Sequence, residues 1–312
     1  MCLKKIGYEG RAEWLQIRGQ YIGGSDAAAV LGLDPYRSAL ALWAEKTGAV
    51  KSFDGNVITE TGAYLEAFVA GLFTRETGKK VQRCNFVIVN EKYPWACADV
   101  DRLVCGESAV LEIKTTNSFI NVKKFRTGEF PERWYCQCMH YLAVTGRQKC
   151  YLAVLSNCRD FYVFELERDE EEIASLMDAE REFMQRVKDG NPPAPDGSDS
   201  ASETVAALGG AVTMPETIEL PQMAAKLDMR ANLKDTIDKL KEQMNEIDNE
   251  IKLLMGENEN AVAGRWKASW KTQTRSTFDA DKFRKNYPQI SLDGFYRQST
   301  TRVFKLSEGR RA

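Results

Sequence analysis

The sequence predicts an α/β fold for roughly its first 190 residues, followed by a C-terminal coiled coil with a small α+β extension. Three observations carry this expectation. Segments of helical and of strand periodicity alternate as far as residue 188, and a stretch rich in Pro, Gly, Ser and Asp, DGNPPAPDGSDSASE, then interrupts them. Beyond it, apolar residues recur at heptad spacing. The expected limits are 1–190 for the first domain, 191–218 for a linker and 219–312 for the C-terminal region.

Each element has its own warrant. RAEWLQIRGQ is amphipathic, and Gly23-Gly24 marks a turn before a short Ala-rich helix opening at Ser25 or Asp26. Ser and Asp favour such starts because a side-chain oxygen accepts from the free N–H groups of the first turn, and Gly32 suits the stop. Asp34-Pro35 restarts the chain into a second helix through Leu40, Leu42 and Trp43. Residues 60–77 set Leu65, Phe68, Val69 and Leu72 on one helical face. VQRCNFVIVN and WACADVDRLVC read as strands, Gly106-Glu107-Ser108 as a hairpin loop and AVLEIKTT as the returning strand. ERWYCQCMHYLAVTG is a helix ended by Gly146, and KCYLAVLSN with DFYVFELER makes a second hairpin. A long helix over 170–188 opens with acidic residues, which suit the positive end of a helix dipole.

Past the linker, Leu233, Ile237, Leu240, Met244, Ile247, Ile251 and Leu254 are spaced 4-3-4-3-4-3. That seam fits either an antiparallel helix pair within one chain or association between chains. RWKASWK alternates as a strand does.

The whole chain carries a net charge of −2, so its average gives no sign of nucleic-acid affinity. Residues 261–312 depart from that average, with twelve Lys/Arg against four Asp/Glu, a net +8. No apolar run reaches the roughly 18 residues of a membrane helix. MCLKKIGYEGRAEW lacks the apolar centre of a signal peptide, so a cytoplasmic protein without membrane contact is expected. Eight cysteines without a CxxC pair, and a single histidine, His140, point to plain thiols and away from zinc sites and His-based triads. Cys136, Cys138, Cys150 and Cys158 are the set to weigh for an iron–sulfur cluster, at a spacing unlike the familiar runs.

The chemistry concentrates in LEIKTT. Glu112 and Lys114, two apart on a strand, share one face, while Leu111 and Ile113 point the other way. Asp99 and Asp101 likewise share a face of the expected partner strand, so one of them can lie beside Glu112 across the hairpin. Two carboxylates that close repel unless one takes a proton or a cation sits between them, and hard ions such as Mg²⁺ or Mn²⁺ prefer oxygen ligands. The competing reading is an exposed strand with an ordinary surface salt bridge.

Four blocks in order, IRGQYIGGSDAAAVLG, GAYLEAFVAGLF, ADVDRLV with LEIKTT, and WYCQCMHYL, resemble the YqaJ-type viral recombinases. These are akin to lambda-type exonucleases within the PD-(D/E)xK nuclease superfamily. The resemblance covers roughly residues 10 to 160 and implies a restriction-endonuclease-like core, a mixed central sheet flanked by helices. Val100 stands where the superfamily name has its proline; the chemistry uses only the aspartate carboxylate.

By this resemblance Asp101 and Glu112 would hold the metal with the Ile113 carbonyl, Glu66 would complete the site, and Asp99 competes with Asp101. Lys114 would orient the attacking water, and Gln137 would hold that water or Lys114; Tyr141, one turn on from Gln137, reads as core packing. Arg18 and Ser25 match the residues that hold a 5′ phosphate in the lambda-type enzymes, with Arg37 a further candidate. The implied activity is Mg²⁺-dependent 5′-to-3′ degradation of one strand at linear duplex ends, leaving 3′ overhangs for phage-type recombination. The implied partners are duplex DNA ends and a single-strand annealing protein, the implied assembly is a trimer, and the implied origin is a phage or prophage. The alternatives are a RecB-like nuclease with an iron–sulfur cluster, and a non-catalytic DNA-end or protein-binding module on the same fold. The basic tail, with Trp266, Trp270, Tyr287, Phe295, Tyr296 and Phe304, can grip DNA, dock the annealing protein or form a small core.

Overall fold

A computed structural model describes residues 2–51, 55–210, 214–297 and 302–307. Residues 211–213 of the expected linker, and 298–301 and 308–312 of the basic tail, lie outside the described residues. The chain divides into two units, Met1–Gly210 and Ala211–Ala312.

The first unit begins with β1 (Leu3–Ile6), α1 (Gly10–Gly19), β2 (Ile22–Gly23), a 3-10 turn at Gly24–Asp26, α2 (Ala27–Val30), α3 (Ala39–Lys46) and α4 (Val57–Thr77). It continues through β3 (Val81–Arg83), β4 (Val87–Asn90), β5 (Tyr93–Ala98), β6 (Arg102–Val104) and β7 (Ala109–Thr116). Then come α5 (Phe119–Arg126), α6 (Glu132–Thr145), β8 (Lys149–Ser156), β9 (Asp160–Glu167), α7 (Glu170–Lys188) and α8 (Asp199–Gly209).

Two mixed sheets result. One has the order β3-β6-β7-β8-β9, with β7 and β8 parallel and the other neighbours antiparallel. The other has the order β1-β4-β5-β2, with β2 parallel to β5. A parallel pair needs cover on both faces, and β7 has it. Leu111 and Ile113 pack with Val69 and Phe73 of α4. Val110 and Leu152 pack with Met139 and Leu142 of α6, which also meets Ile88, Ala96 and Ala98 of the second sheet. Strand alternation therefore turns Glu112 and Lys114 toward α6.

Three expectations need correction. VQRCNFVIVN is not one strand: β3 pairs with β6 in one sheet, and β4 pairs with β1 and β5 in the other. WACADVDRLVC is not one strand: β5 pairs with β4 and β2, whereas β6 pairs with β3 and β7, and Asp99–Asp101 crosses between the two sheets. The two aspartates thus do not share a strand face. In addition, part of the expected linker is α8. Ser198 caps it by accepting from Ala201 N–H at 3.1 Å, Ser200 Oγ accepts from Ser38 N–H at 3.1 Å, and Ala201 and Thr204 are buried. Ser and Asp favour loops and helix starts alike, so composition alone misses this helix.

The single histidine is built into the core. His140 Nε2 donates to the Cys97 carbonyl at 2.8 Å, and Nδ1 lies 2.7 Å from Glu180. Burial opposes its charge, yet the Glu180 carboxylate beside it holds its pKa above the usual histidine value.

The second unit contains α9 (Ala224–Met255), an uninterrupted helix of 32 residues, then the hairpin β10 (Asn260–Ala263) and β11 (Trp266–Ser269), and α10 (Ala280–Asn286). Among the described residues no helix is long and apolar enough to cross a membrane.

Candidate active site

The site starts where β6 stops. Its ladder with β7 ends at Arg102 opposite Leu111, so the next N–H on that edge of β7, that of Ile113, has no strand partner there. Asp101 fills the gap: its Oδ2 accepts from Ile113 N–H at 2.7 Å. A strand residue sends its N–H and C=O to the same edge, so the Ile113 carbonyl leaves on the Asp101 side. Asp101 and Glu112 are thereby drawn into one cleft. Burial, and after it the Glu112 charge, raises the Asp101 pKa well above the carboxylate range.

Glu112 is 2% exposed. Its Oε1 accepts from Lys114 Nζ at 2.6 Å and from Gln137 Nε2 at 2.7 Å, while Lys114 also donates to Gln137 Oε1 at 2.9 Å. Gln137 gives a second hydrogen to Tyr141 Oη at 2.9 Å, and Tyr141 donates to the Asp99 carbonyl at 2.9 Å. The array runs in one direction, from the ammonium through the amide and phenol to the backbone of the crossing segment. Burial raises the Glu112 pKa against the pull of Lys114. For Lys114, burial favours the neutral amine, but Glu112 outweighs it and keeps the group a cation.

Glu66, from α4, reaches the cleft wall but is paired there with Arg102, whose guanidinium also donates to the Asp101 carbonyl at 2.5 Å. The sequence gives no hint of this pairing, because Arg102 reads as an ordinary strand residue. Asp99 lines the same cleft and accepts from Trp14 Nε1 at 2.6 Å.

At the other end, Arg18 Nη2 donates to Ser25 Oγ at 2.5 Å, and its guanidinium lies over the Trp14 ring at 4.8 Å. Gly24 explains how this loop comes so near α6. A Cβ there would sit 2.5 Å from the Tyr141 ring and 3.1 Å from Gln137 Cγ. Asp26 does not cap a helix as expected. It is buried, with Lys46 at 2.9 Å and Arg37 at 2.5 Å, and it accepts from Gly23 N–H at 3.1 Å. Burial alone would raise its pKa, but Lys46, Arg37 and Arg18 drive it far below the carboxylate range. Arg37 also donates to Glu45 at 3.2 Å and to the Ser25 carbonyl at 3.0 Å. It braces the loop from behind and is not among the residues lining the cleft.

The cleft holds about 430 Å³ and gathers Arg18, Ser25, Glu66, Asp99, Asp101, Glu112, Ile113, Lys114, Gln137 and Tyr141. A larger groove of about 1040 Å³, lined by Leu33, Pro35, Tyr36, Phe130, Arg133 and Cys136 among others, contains none of the catalytic, Mg²⁺-holding or phosphate-holding residues expected from the sequence. One observation bears on a metal: Glu112 Oε2 is buried with no N–H donor, and beside it is only the Asp101 carboxyl, which can satisfy it in the absence of a cation only by carrying a proton. A hard cation would satisfy that oxygen and relieve the repulsion. Among the described residues no three Asp, Glu, His or Cys side chains converge as a cage, and Cys136, Cys138, Cys150 and Cys158 form no such group. The residues therefore fit Mg²⁺ or Mn²⁺ held by two carboxylates and a carbonyl, with water and substrate oxygens filling the rest, the common Mg²⁺ mode. They do not fit an iron–sulfur cluster. Of the cysteines weighed for it, burial pushes the Cys136 thiol up to about 11 and raises that of Cys150 as well, away from the thiolates such a cluster needs.

Residues 13–148 match the YqaJ-like viral recombinase domain. The chain is 35% identical over 293 residues to the uncharacterized protein YqaJ of Bacillus subtilis (strain 168), covering 92% of both. Its fold is similar to that of an alkaline exonuclease, LHK-Exo, from Laribacter hongkongensis, and of LHK-Exo in complex with dAMP. The TM-score is 0.51 in each case, at 22% and 21% identity, over 58% of this chain and 94% of the other.

Proposed function

This chain belongs to the YqaJ-like viral recombinase family, and we propose that it is a metal-dependent deoxyribonuclease. It would degrade one strand of linear duplex DNA from a 5′-phosphorylated end and leave a 3′ single strand for phage-type homologous recombination. The observation that carries this reading is the Glu112–Gln137–Lys114 cluster, set in the same cleft as Asp101 and the Arg18–Ser25 pair. LHK-Exo's complex with dAMP supports a DNA substrate.

Asp101, Glu112 and the Ile113 carbonyl would hold the divalent ion, which lowers the pKa of water and offsets charge on the scissile phosphate. Lys114 stays protonated under the influence of Glu112. It therefore serves as a fixed cation and donor toward the attacking water and the phosphate, not as a free base. Gln137 fixes the direction of that ammonium through its carbonyl. Arg18 and Ser25 would grip the terminal 5′ phosphate, an anion site that selects the end and favours each step forward. Trp266, Trp270, Tyr287, Phe295, Tyr296 and Phe304 are exposed, which supports contact with DNA backbone and bases over a packed core. A single-strand annealing partner and a trimer belong to the same proposal.

The test is linear duplex DNA with 5′-phosphoryl or 5′-hydroxyl ends, incubated with Mg²⁺ or with EDTA. Shortening of the 5′-ended strand in Mg²⁺ alone, faster from phosphorylated ends, is expected. Binding without cleavage would instead favour a non-catalytic end-binding module.

A further inference from the structure

The heptad residues of α9 are exposed, from 37% at Ile251 to 80% at Leu254, with Leu233, Ile237, Leu240, Met244 and Ile247 between them. A helix of 32 residues is about 48 Å long. Among the described residues its own unit offers no helix to cover it, since α10 has seven residues and α8 is packed on α3 in the first unit. We propose that α9 pairs antiparallel, about a two-fold axis, with α9 of a second copy of this chain, in the register that sets Lys241 opposite Asp248. This goes beyond the nuclease reading and does not depend on it.

Charge decides orientation and register. With Ile237, Met244 and Ile251 at a, and Leu233, Leu240, Ile247 and Leu254 at d, the e positions are Lys234, Lys241 and Asp248, and the g positions are Thr236, Gln243 and Glu250. A parallel pair sets g against the following e of the other helix, here Thr236 with Lys241 and Gln243 with Asp248, and no opposite charges meet. An antiparallel pair sets e against e. One register stacks Ile237 on Leu254, Leu240 on Ile251 and Met244 on Ile247 of the second copy, and the two-fold axis repeats each layer. In that register Lys241 faces Asp248 on both flanks. Sliding one heptad one way sets Lys241 against Lys241 and Leu254 against Arg230. Sliding the other way sets Asp248 against Asp248 and loses layers. Both shifted registers place like charges on the axis, so the sequence disfavours slippage as well as favouring one alignment.

The experiment uses the full chain at tens of micromolar and reads mass by sedimentation and light scattering. Ile247→Asp should halve the assembly mass, whatever association the first unit adds. Lys241→Glu or Asp248→Lys alone should raise the dissociation constant roughly tenfold, and the two together should restore it to within about twofold. The charge variants lie on exposed positions and leave the helix intact, which circular dichroism checks. A wild-type mass unchanged by Ile247→Asp overturns the interface. A double variant no tighter than either single overturns the antiparallel register.

Discussion

Gln137 on α6 donates to Glu112 on β7 at 2.7 Å while its carbonyl accepts from Lys114 at 2.9 Å. One neutral side chain thereby fixes the orientation of an acid and a base that already touch at 2.6 Å. Swapping the amide's ends would set its carbonyl against the Glu112 carboxylate and its N–H group against the ammonium, so only one rotamer satisfies both. The pair is preorganised before any substrate arrives.

Lys114→Ala leaves Glu112 buried with Gln137 as its remaining donor. Single-turnover resection should fall by about two to three orders of magnitude, and urea unfolding should show a loss of about 1–3 kcal/mol from the uncompensated carboxylate. Adding Glu112→Gln should recover stability without recovering activity, which separates the chemical role of Lys114 from its structural one.

Gly24→Ala tests the close approach of the loop that carries Ser25 to α6. A methyl group 2.5 Å from the Tyr141 ring forces the loop or the helix to move. The expected cost is about 1–3 kcal/mol in denaturant, with slower resection because Ser25 is displaced from the cleft.

Arg18→Ala removes the donor to Ser25 and the cation over Trp14. Resection from 5′-phosphorylated ends should slow by about tenfold or more, the loss of one charge-assisted contact, while 5′-hydroxyl ends change little. Equal slowing on both end types, measured on otherwise identical duplexes, would remove the phosphate-site assignment.

Asp26 makes a prediction about acid. Its pKa in the folded chain lies far below that of an unfolded aspartate, about 3.9. Its stabilisation is therefore complete above roughly pH 4 and is lost as pH falls toward the depressed folded value. Asp26→Asn should cost about 3–5 kcal/mol at pH 7, since Lys46 and Arg37 lose their shared partner. The gap between wild type and variant should hold down to about pH 4 and narrow below it, as chemical denaturation across pH will read.

Much of this arrangement is legible in the sequence, and the remainder has physical reasons for being hidden. The common face of Glu112 and Lys114 follows from strand parity alone, the end of α6 from Gly146, and α7 from its acidic start and the spacing of Ile173, Leu176, Met177, Phe183 and Met184. The split of WACADVDRLVC is invisible because its apolar residues continue through the crossing between sheets. The pairing of Glu66 with Arg102, the brace of Arg37 on Asp26 and the contact of Gly24 with Tyr141 join residues 11 to 117 positions apart. Such pairings are set by tertiary packing, which no local pattern encodes. Trp14 is the missed cleft residue with a usable signal, an aromatic one helical turn before Arg18.

The central claim is that Asp101 and Glu112 hold a divalent ion that this cleft uses to cut DNA from a 5′ end. Its most direct measurement is single-turnover resection of a 5′-phosphorylated linear duplex by the wild-type chain and by Glu112→Gln, each in Mg²⁺ and in EDTA, beside Mn²⁺ titration of both proteins. The account predicts 5′-strand loss by the wild type in Mg²⁺ alone, with at least a hundredfold slower reaction and weakened Mn²⁺ binding for the variant. Undiminished cleavage in EDTA, or by a folded Glu112→Gln protein, would contradict it.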